Sequence, residues 1–160
     1  MYTFINFSDT IGIMKTRENL NSPSEMSTSH RKNPTFADVR YQFIFCARYR
    51  RKIFTEFQGE QIERQFKQEL EKLEAQLGFD VKQCHCEGDR VYLDLQAPPT
   101  LSPADLMAKI KMKTSRVLRT QIVGLSHLQG LWTRAYFVTT GANLDPQKVE
   151  QFLAQQKTRS

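Results

Sequence analysis

The sequence predicts an α+β domain, and three observations support this fold class. Several short segments alternate apolar and polar residues, as half-buried strands do. Two longer segments carry apolar residues at intervals of three and four, as amphipathic helices do. The elements follow in the order β-α-β-β-α-β-α. The first six match the ferredoxin-like unit, a four-stranded antiparallel sheet with two helices on one face. The seventh is an additional C-terminal helix.

The first strand is predicted over residues 41–46, which are mostly aromatic and β-branched. A basic corner follows at residues 48–52. The first helix is predicted over residues 59–77, because its apolar residues recur at helical spacing and Gly78 stands where a glycine commonly ends a helix.

The second and third strands are predicted over residues 81–87 and 90–96. The Gly88-Asp89 pair between them is a hairpin signal. In the third strand the odd-numbered residues are apolar, so they should face the core. The even-numbered residues, including Arg90 and Tyr92, should face the other way.

The second helix should begin after Ser102, an N-cap residue followed by proline, and run to about Gln121. A fourth strand is predicted over residues 131–139. Asp145 should then cap a final helix that ends near Gln156.

Residues 1–35 are predicted to form a disordered arm, because residues 15–35 are rich in serine, asparagine, proline and charge. The folded domain is expected over residues 36–160. Translation could begin at Met14 or Met26 instead of Met1. No run of eighteen apolar residues and no secretory signal is recognisable, so we expect a cytoplasmic protein without a membrane anchor. Three cysteines, an odd number, agree with a reducing compartment.

The net charge of +6 and the isoelectric point near 9.3 suit a polyanionic partner. Tyr49 within the basic corner could stack on a base. A solvated helix face and a charged turn are the alternative interpretation of the same residues. The candidate nucleic-acid-binding residues are Arg48, Tyr49, Arg50, Arg51 and Lys52 in the corner, with Lys109, Lys113 and Arg116 within about 60° of arc on the second helix.

The Cys84-His85-Cys86 run carries metal-binding residue types at consecutive positions. On a strand the two cysteines face away from the histidine, so the three side chains should not close around one metal ion. We therefore expect no metal site there.

Several segments resemble the single-tyrosine HUH transposases of bacterial insertion sequences of the 200/605 type, a group that includes the REP-associated tyrosine transposases. The resemblance covers about residues 36–156. The segments that carry it are YQFIFCARYRRKIF, DRVYLDLQAPPTLS, LMAKIKMKTSRVLR and LWTRAYFVTTG, followed by a last helix with Gln156. The resemblance implies a homodimer, whose last helix could pack on the partner, that cuts and rejoins single-stranded or hairpin DNA.

The departures from the family pattern lie at its catalytic positions. Such enzymes bind magnesium or manganese through two histidines on one strand, helped by a glutamine of the last helix. Here Arg90 and Tyr92 occupy the histidine positions, and only Gln156 matches. The nucleophilic tyrosine is replaced by Phe152, which has no oxygen.

The resemblance and its departures together predict an inactive, transposase-like protein that binds hairpin or single-stranded DNA and needs no cofactor. Arg90 could hold a phosphate where the family holds a metal. Two alternatives remain open. One is an RNA-recognition module, which shares the same order of elements; the other is an active nuclease with a rebuilt site.

Overall fold

The computed structural model describes residues 37–56, 58–141 and 143–156, so the predicted arm over residues 1–35 lies outside the described residues. Seven regular elements follow in the predicted order. They are β1 Val39–Cys46, α1 Gly59–Leu77, β2 Asp80–Glu87, β3 Arg90–Ala97, α2 Pro103–Gln121, β4 Phe137–Thr139 and α3 Pro146–Ala154. Short 3-10 turns occupy Arg48–Arg50 and Val123–Leu125.

The four strands form one antiparallel sheet in the order β2-β3-β1-β4. The two central strands are therefore β1 and β3, and β4 lies at an edge. This order, with α1 and α2 on the same face, is the predicted ferredoxin-like arrangement, which is confirmed.

The core lies between α1, α2 and one face of the sheet, which we call the core face. Odd-numbered residues of β1 and β3 supply that face, as the alternation predicted. Both helices bury their apolar stripe against it, and burial of this kind dominates folding energetics. The largest side chains of this core include Phe43, Phe45, Leu93 and Leu95 of the sheet, Ile62 and Phe66 of α1, and Leu106, Met107, Ile110 and Leu118 of α2.

The predicted helix ends are nearly all confirmed. Gly78 has a φ of 72° and donates its N–H to the carbonyl of Glu74, whereas Ser102 Oγ accepts the N–H of Asp105 at 3.1 Å. The side chain of Asp145 caps α3. Helix α3 was predicted to end near Gln156 and ends two residues earlier, at Ala154. Its last turn tightens, because Gln156 donates its N–H to a carbonyl three residues back.

The predicted fourth strand was wrong over most of its length, because residues 137–139 pair with β1 and residues 133–136 do not. The reason is Lys111 of α2. Its Nζ donates to the carbonyls of Thr133, Arg134 and Ala135 at 3.1, 3.2 and 2.9 Å. A side chain thus occupies acceptors that a strand would offer to its neighbour. Trp132 makes a single isolated bridge to Ala47.

The opposite face of the sheet, which we call the second face, carries the even-numbered residues of β1 and β3. Ile44 is fully buried there, although the face lies away from the main core. The ring of Phe152 in α3 lies 6.1 Å from that of Phe137 in β4, which pairs with Ile44. Helix α3 therefore packs on the sheet of its own chain. Among the described helices, none is long and apolar enough to cross a membrane.

Candidate nucleic-acid interface

The turn after β1 has an unusual backbone. Tyr49 and Arg50 have φ values of 61° and 54°, a left-handed conformation that side chains other than glycine rarely adopt. Each such residue costs of order 1–3 kcal/mol and persists only where its surroundings impose it. The basic corner predicted over residues 48–52 is thus a defined, strained structure.

Arg50 holds this turn in place from within. Its guanidinium pairs with the carboxylate of Asp89, in the β2–β3 hairpin, and Nη1 donates to the carbonyl of Leu153 in α3 at 2.7 Å. The Asp89 side chain is only 7% exposed. Main-chain bonds add to these contacts, since Ala47 donates to the carbonyl of Asp89 at 2.7 Å. Arg50 therefore already has partners within the protein, and this limits its part in binding a ligand.

Most of the remaining side chains of the corner are exposed, and Arg51 is half-buried. Tyr49 is 39% exposed, and the guanidinium carbons of Arg48 and Arg51 lie 5.1 and 5.4 Å from the centre of its ring. Lys52 is exposed nearby. Two guanidiniums beside one accessible aromatic ring form a group that suits both phosphates and unstacked bases.

The predicted cations of α2 form a second, separate group. Arg116 is exposed, whereas Lys109 and Lys113 are partly buried. By helical spacing all three lie roughly 140–160° around the helix from Lys111, which contacts the segment leading into β4. They thus occupy a different side of α2 from the one facing that segment.

The residues that the resemblance assigns to catalytic positions lie on the second face or on α3, which packs against it. Arg90 and Tyr92 alternate along β3 and pair with Cys46 and Ile44 of β1. Phe152 covers Phe137, roughly 10 Å across the sheet from Tyr92 if strands lie at their usual spacing. Gln156 is partly buried one turn beyond Phe152 and donates its Nε2 to that residue's carbonyl at 3.2 Å.

Arg90 is engaged within this face and carries a charge that opposes metal binding. Its Nε donates to Asp89 at 3.2 Å, so that carboxylate lies between Arg90 and Arg50. Burial by itself would lower the pKa of Arg90, but the neighbouring Tyr92 and Asp89 raise it above the ordinary value. Arg90 is therefore a permanent cation with a side chain 27% exposed.

The donor set at these positions does not fit a divalent metal. Arg90 offers no lone pair, and the one carboxylate beside it, that of Asp89, is neutralised by two guanidiniums. Within the described ranges, no three histidine, cysteine or acidic side chains form a group able to hold a metal ion. The Cys84-His85-Cys86 run behaves as predicted: the cysteines pair with core-facing residues of β3, whereas His85 pairs with Tyr92 on the second face.

Four residues that shape this region were not predicted from the sequence. Asp89 has a hairpin signal but no sign of its ion pairs, and Lys111 has no sign of its contacts before β4. Arg40 and Asp94 form an ion pair on the second face through two hydrogen bonds. Hydrogen bonding from Arg40 lowers the pKa of Asp94. A partner 39 or 54 positions away gives no local signal, so sequence spacing could not reveal these pairs.

Comparison with known proteins identifies the family. No curated protein sequence matches the chain. A putative transposase from Deinococcus radiodurans has a similar structure, with a TM-score of 0.68 and 20% identity over 81% of this chain and 98% of that one. A REP-associated tyrosine transposase bound to a REP hairpin gives a TM-score of 0.50 and 11% identity over 77% and 68% of the two chains. The model of the family described as "Transposase IS200 like" matches residues 35–156. The chain therefore belongs to the IS200-like transposase family.

Proposed function

We propose that this chain binds single-stranded or hairpin DNA and does not cut or rejoin it. The observation that carries the proposal is Arg90, a permanent cation bonded to buried Asp89 at a position where the resemblance expects a metal ligand. A guanidinium can grip a phosphate through paired hydrogen bonds, but it cannot hold the metal that polarises one.

The binding half of the proposal rests on the arrangement of charge. The basic corner exposes Arg48 and Lys52 and presents Tyr49 between guanidiniums. Cations in such positions bind phosphates without reading the base sequence, and an aromatic ring accepts any unstacked base. A similar structure is bound to a REP hairpin, which makes hairpin DNA the first ligand to test.

The inactive half rests on the chemistry of the second face. Phe152 has no oxygen to attack a phosphate, and loss of a nucleophile alone costs roughly a millionfold in rate. Tyr92 carries a phenol, but it lies on β3 rather than on α3, where the resemblance places the nucleophile. The family match favours this interpretation over the RNA-recognition alternative.

The proposal includes no cofactor, because the residues at the metal-binding positions are replaced. It also includes a cytoplasmic location, as the sequence predicts, and a homodimer, as the resemblance implies. Dimerisation can be measured directly by sedimentation of the purified protein. An active nuclease with a rebuilt site is the outcome that the cleavage experiment must distinguish.

The first experiment measures binding and chemistry in the same samples. Labelled hairpin DNA is titrated by fluorescence anisotropy over a range of salt concentrations, then incubated with magnesium or manganese and run on a denaturing gel. With about five phosphate contacts, log affinity should fall against log salt with a slope of roughly −3 to −4. No protein-linked DNA should survive denaturation. A covalent band would refute inactivity, and absence of binding at low salt would refute the DNA-binding proposal.

Two sets of variants make this experiment sharper. Replacing Lys109, Lys113 and Arg116 by alanine should weaken binding and flatten the salt slope, because three cations leave the surface. Unchanged binding would exclude the α2 group and leave the corner as the binding surface.

The second set is the combined change Arg90→His, Tyr92→His and Phe152→Tyr. It should introduce manganese binding that is detectable by calorimetry, because the first two positions share a strand face. Equal manganese binding by the parent and this variant would show that these positions do not correspond to the metal-binding positions of the family.

A further inference from the structure

Two aromatic rings lie side by side on the second face of the sheet, outside the basic corner. His85 of β2 and Tyr92 of β3 are direct neighbours across the two strands. Their ring centres lie 6.1 Å apart, with an angle of 33° between the ring planes. The His85 side chain is 69% exposed, and Tyr92 is half-buried. Together the two rings offer the solvent an aromatic surface larger than either ring alone.

This aromatic pair lies away from the part of the second face that α3 covers. Phe152 of α3 packs on Phe137 of β4, whereas His85 belongs to β2, at the opposite edge of the sheet. Leu144, in the segment before α3, lies beside the pair. A flat ligand can therefore reach the two rings from the solvent side of β2.

The carboxylates around the pair disfavour an anion directly on the rings. Asp94 lies two residues after Tyr92 on the same face, and its carboxylate is bonded to Arg40. On the other side, Glu87 Oε2 lies 4.0 Å from His85 Nε2. Negative charge at both ends of the pair repels a phosphate, whereas a neutral planar group is not repelled. The rings therefore suit a nucleobase better than its phosphate.

A cation suited to the phosphate lies next to the rings. Arg90 precedes Tyr92 by two residues on the same face, which is roughly 7 Å along a strand. Its Nε donates to Asp89 at 3.2 Å, and a guanidinium has four further N–H donors. Arg90 can therefore bind a phosphate without giving up its bond to Asp89. The rings and the guanidinium together offer contacts for both parts of a nucleotide.

We propose that His85 and Tyr92 stack with an unpaired base of a single strand that adjoins the hairpin, and that Arg90 binds the neighbouring phosphate. The inference rests on the proposed DNA-binding function and adds to it a site for unpaired nucleotides on the sheet. Because every base has a π-face, the site accepts all four bases. Recognition of this kind does not read the hydrogen-bonding edges of the bases.

The experiment compares three DNA ligands by fluorescence anisotropy. They are a hairpin without a tail, the same hairpin with a single-stranded tail of deoxyadenosines, and one with a tail of abasic sites, with tails tested at both the 5′ and the 3′ end. The abasic tail keeps the phosphates and sugars but has no base to stack. We expect the deoxyadenosine tail at one end to bind about five- to hundredfold more tightly than the abasic tail, the ratio that stacking of one base gives. Equal affinity for the two tails at both ends would overturn the inference and leave hairpin binding intact.

Alanine variants test whether these two rings are the stacking site. Tyr92→Ala and His85→Ala should each reduce the ratio between the two tails at least threefold, whereas Tyr92→Phe keeps the ring and should keep the ratio. His127→Ala is the matched control, since His127 is an exposed histidine in the loop after α2. A ratio that persists in both alanine variants would place stacking elsewhere, for example on Tyr49, and overturn the inference.

Two comparisons separate a loss of stacking from a loss of structure. Cross-strand aromatic pairs also stabilise a sheet, so both alanine variants should bind the tailless hairpin as the parent does. If Tyr92→Ala does not fold, His85→Ala decides the question, because His85 is largely exposed on an edge strand. Arg90→Gln should weaken both tailed ligands by the same factor and keep the ratio between them. A reduced ratio in Arg90→Gln would contradict its role as the phosphate ligand.

A direct signal of stacking completes the test. A single 2-aminopurine in an otherwise abasic tail has no neighbouring base, so its fluorescence falls when the ring stacks on an aromatic side chain of the protein. We expect quenching by the parent and by His127→Ala, but not by Tyr92→Ala. Binding of the tailed hairpin without quenching would overturn this inference alone. Absence of binding by every hairpin at low salt would overturn the proposed function and this inference with it.

Discussion

The substitution Asp89→Asn tests whether the charge or the shape of the basic corner determines its affinity for DNA. The substitution keeps the size of the side chain and removes its charge. The carboxylate of Asp89 lies between Arg50 and Arg90, and its side chain is 7% exposed. Loss of one member of a fully buried ion pair costs about 3–5 kcal/mol.

The expected loss here is smaller than that, for two reasons. The side chains of Arg50 and Arg90 are 20% and 27% exposed, so water compensates part of the lost partner. An asparagine also retains one acceptor oxygen. We therefore expect the free energy of unfolding to fall by about 2–3 kcal/mol. The left-handed conformation of Tyr49 should relax, because the Arg50 side chain no longer holds it.

The stability assay is urea denaturation followed by the fluorescence of Trp132, the chain's single tryptophan, which is 8% exposed in the fold. Asp80→Asn is the matched control, because Asp80 pairs with Lys82 on an exposed stretch of β2 and its loss should have no measurable effect. A loss in Asp89→Asn no larger than that of the control would refute the reasoning.

DNA binding gives an independent result for the same variant. Removal of a negative charge should by itself strengthen binding to DNA, since the protein becomes more basic. We expect the opposite, a weaker affinity for hairpin DNA, because the Tyr49 turn loses its geometry. Tighter binding by Asp89→Asn would show that charge alone, rather than the shape of the corner, determines affinity.

Three further predictions concern the fold and its dependence on pH. Thr114→Val should lower the free energy of unfolding by about 1–3 kcal/mol in urea denaturation, since it leaves the Trp132 Nε1–H, now 2.9 Å from Thr114 Oγ1, buried without an acceptor; an unchanged midpoint would contradict this. Arg40 lowers the pKa of Asp94 below its ordinary value of 3.8. The stabilisation that the Arg40–Asp94 pair contributes is therefore complete above pH 3.8 and is lost as the pH falls through the lower pKa of Asp94 in the folded protein. The gap in stability between parent and Asp94→Asn should therefore narrow on acidification, and a constant gap would exclude the linkage. Burial lowers the pKa of Lys111 to about 8 from 10.5. Between pH 8 and 10.5 the unfolded chain binds more protons than the folded one, so the free energy of unfolding should rise with pH. Lys111→Met should lack this rise, and the same dependence of stability on pH in parent and variant would refute the prediction.

Periodicity predicted the elements whose partners are close in sequence. The bounds of α1 and α2 agree with their apolar spacing and their caps, because a helix is made of contacts within four residues. The β2–β3 hairpin agrees for the same reason, since Gly88 adopts a φ of 56° that a tight turn requires. The faces of β3 also followed, because alternation is a property of the strand itself.

Two features escaped prediction because distant residues determine them. The segment before β4 has the composition of a strand, but the ammonium of Lys111, more than twenty positions earlier, takes its carbonyls. The candidate site shows the same limit. The sequence predicts that Arg50 is available to bind DNA, but in the fold its guanidinium bonds to Asp89 and to the carbonyl of Leu153 in α3.

The side chain of Arg50 also has a consequence for the order in which the protein assembles. It joins residues that are 39 and 103 positions away along the chain. Contacts between such distant residues form slowly, since long loops must close before the contact stabilises anything. During synthesis, Leu153 leaves the ribosome long after the turn that it stabilises. We therefore expect the left-handed turn at Tyr49 to be completed late in folding, after the hairpin and the last helix have docked.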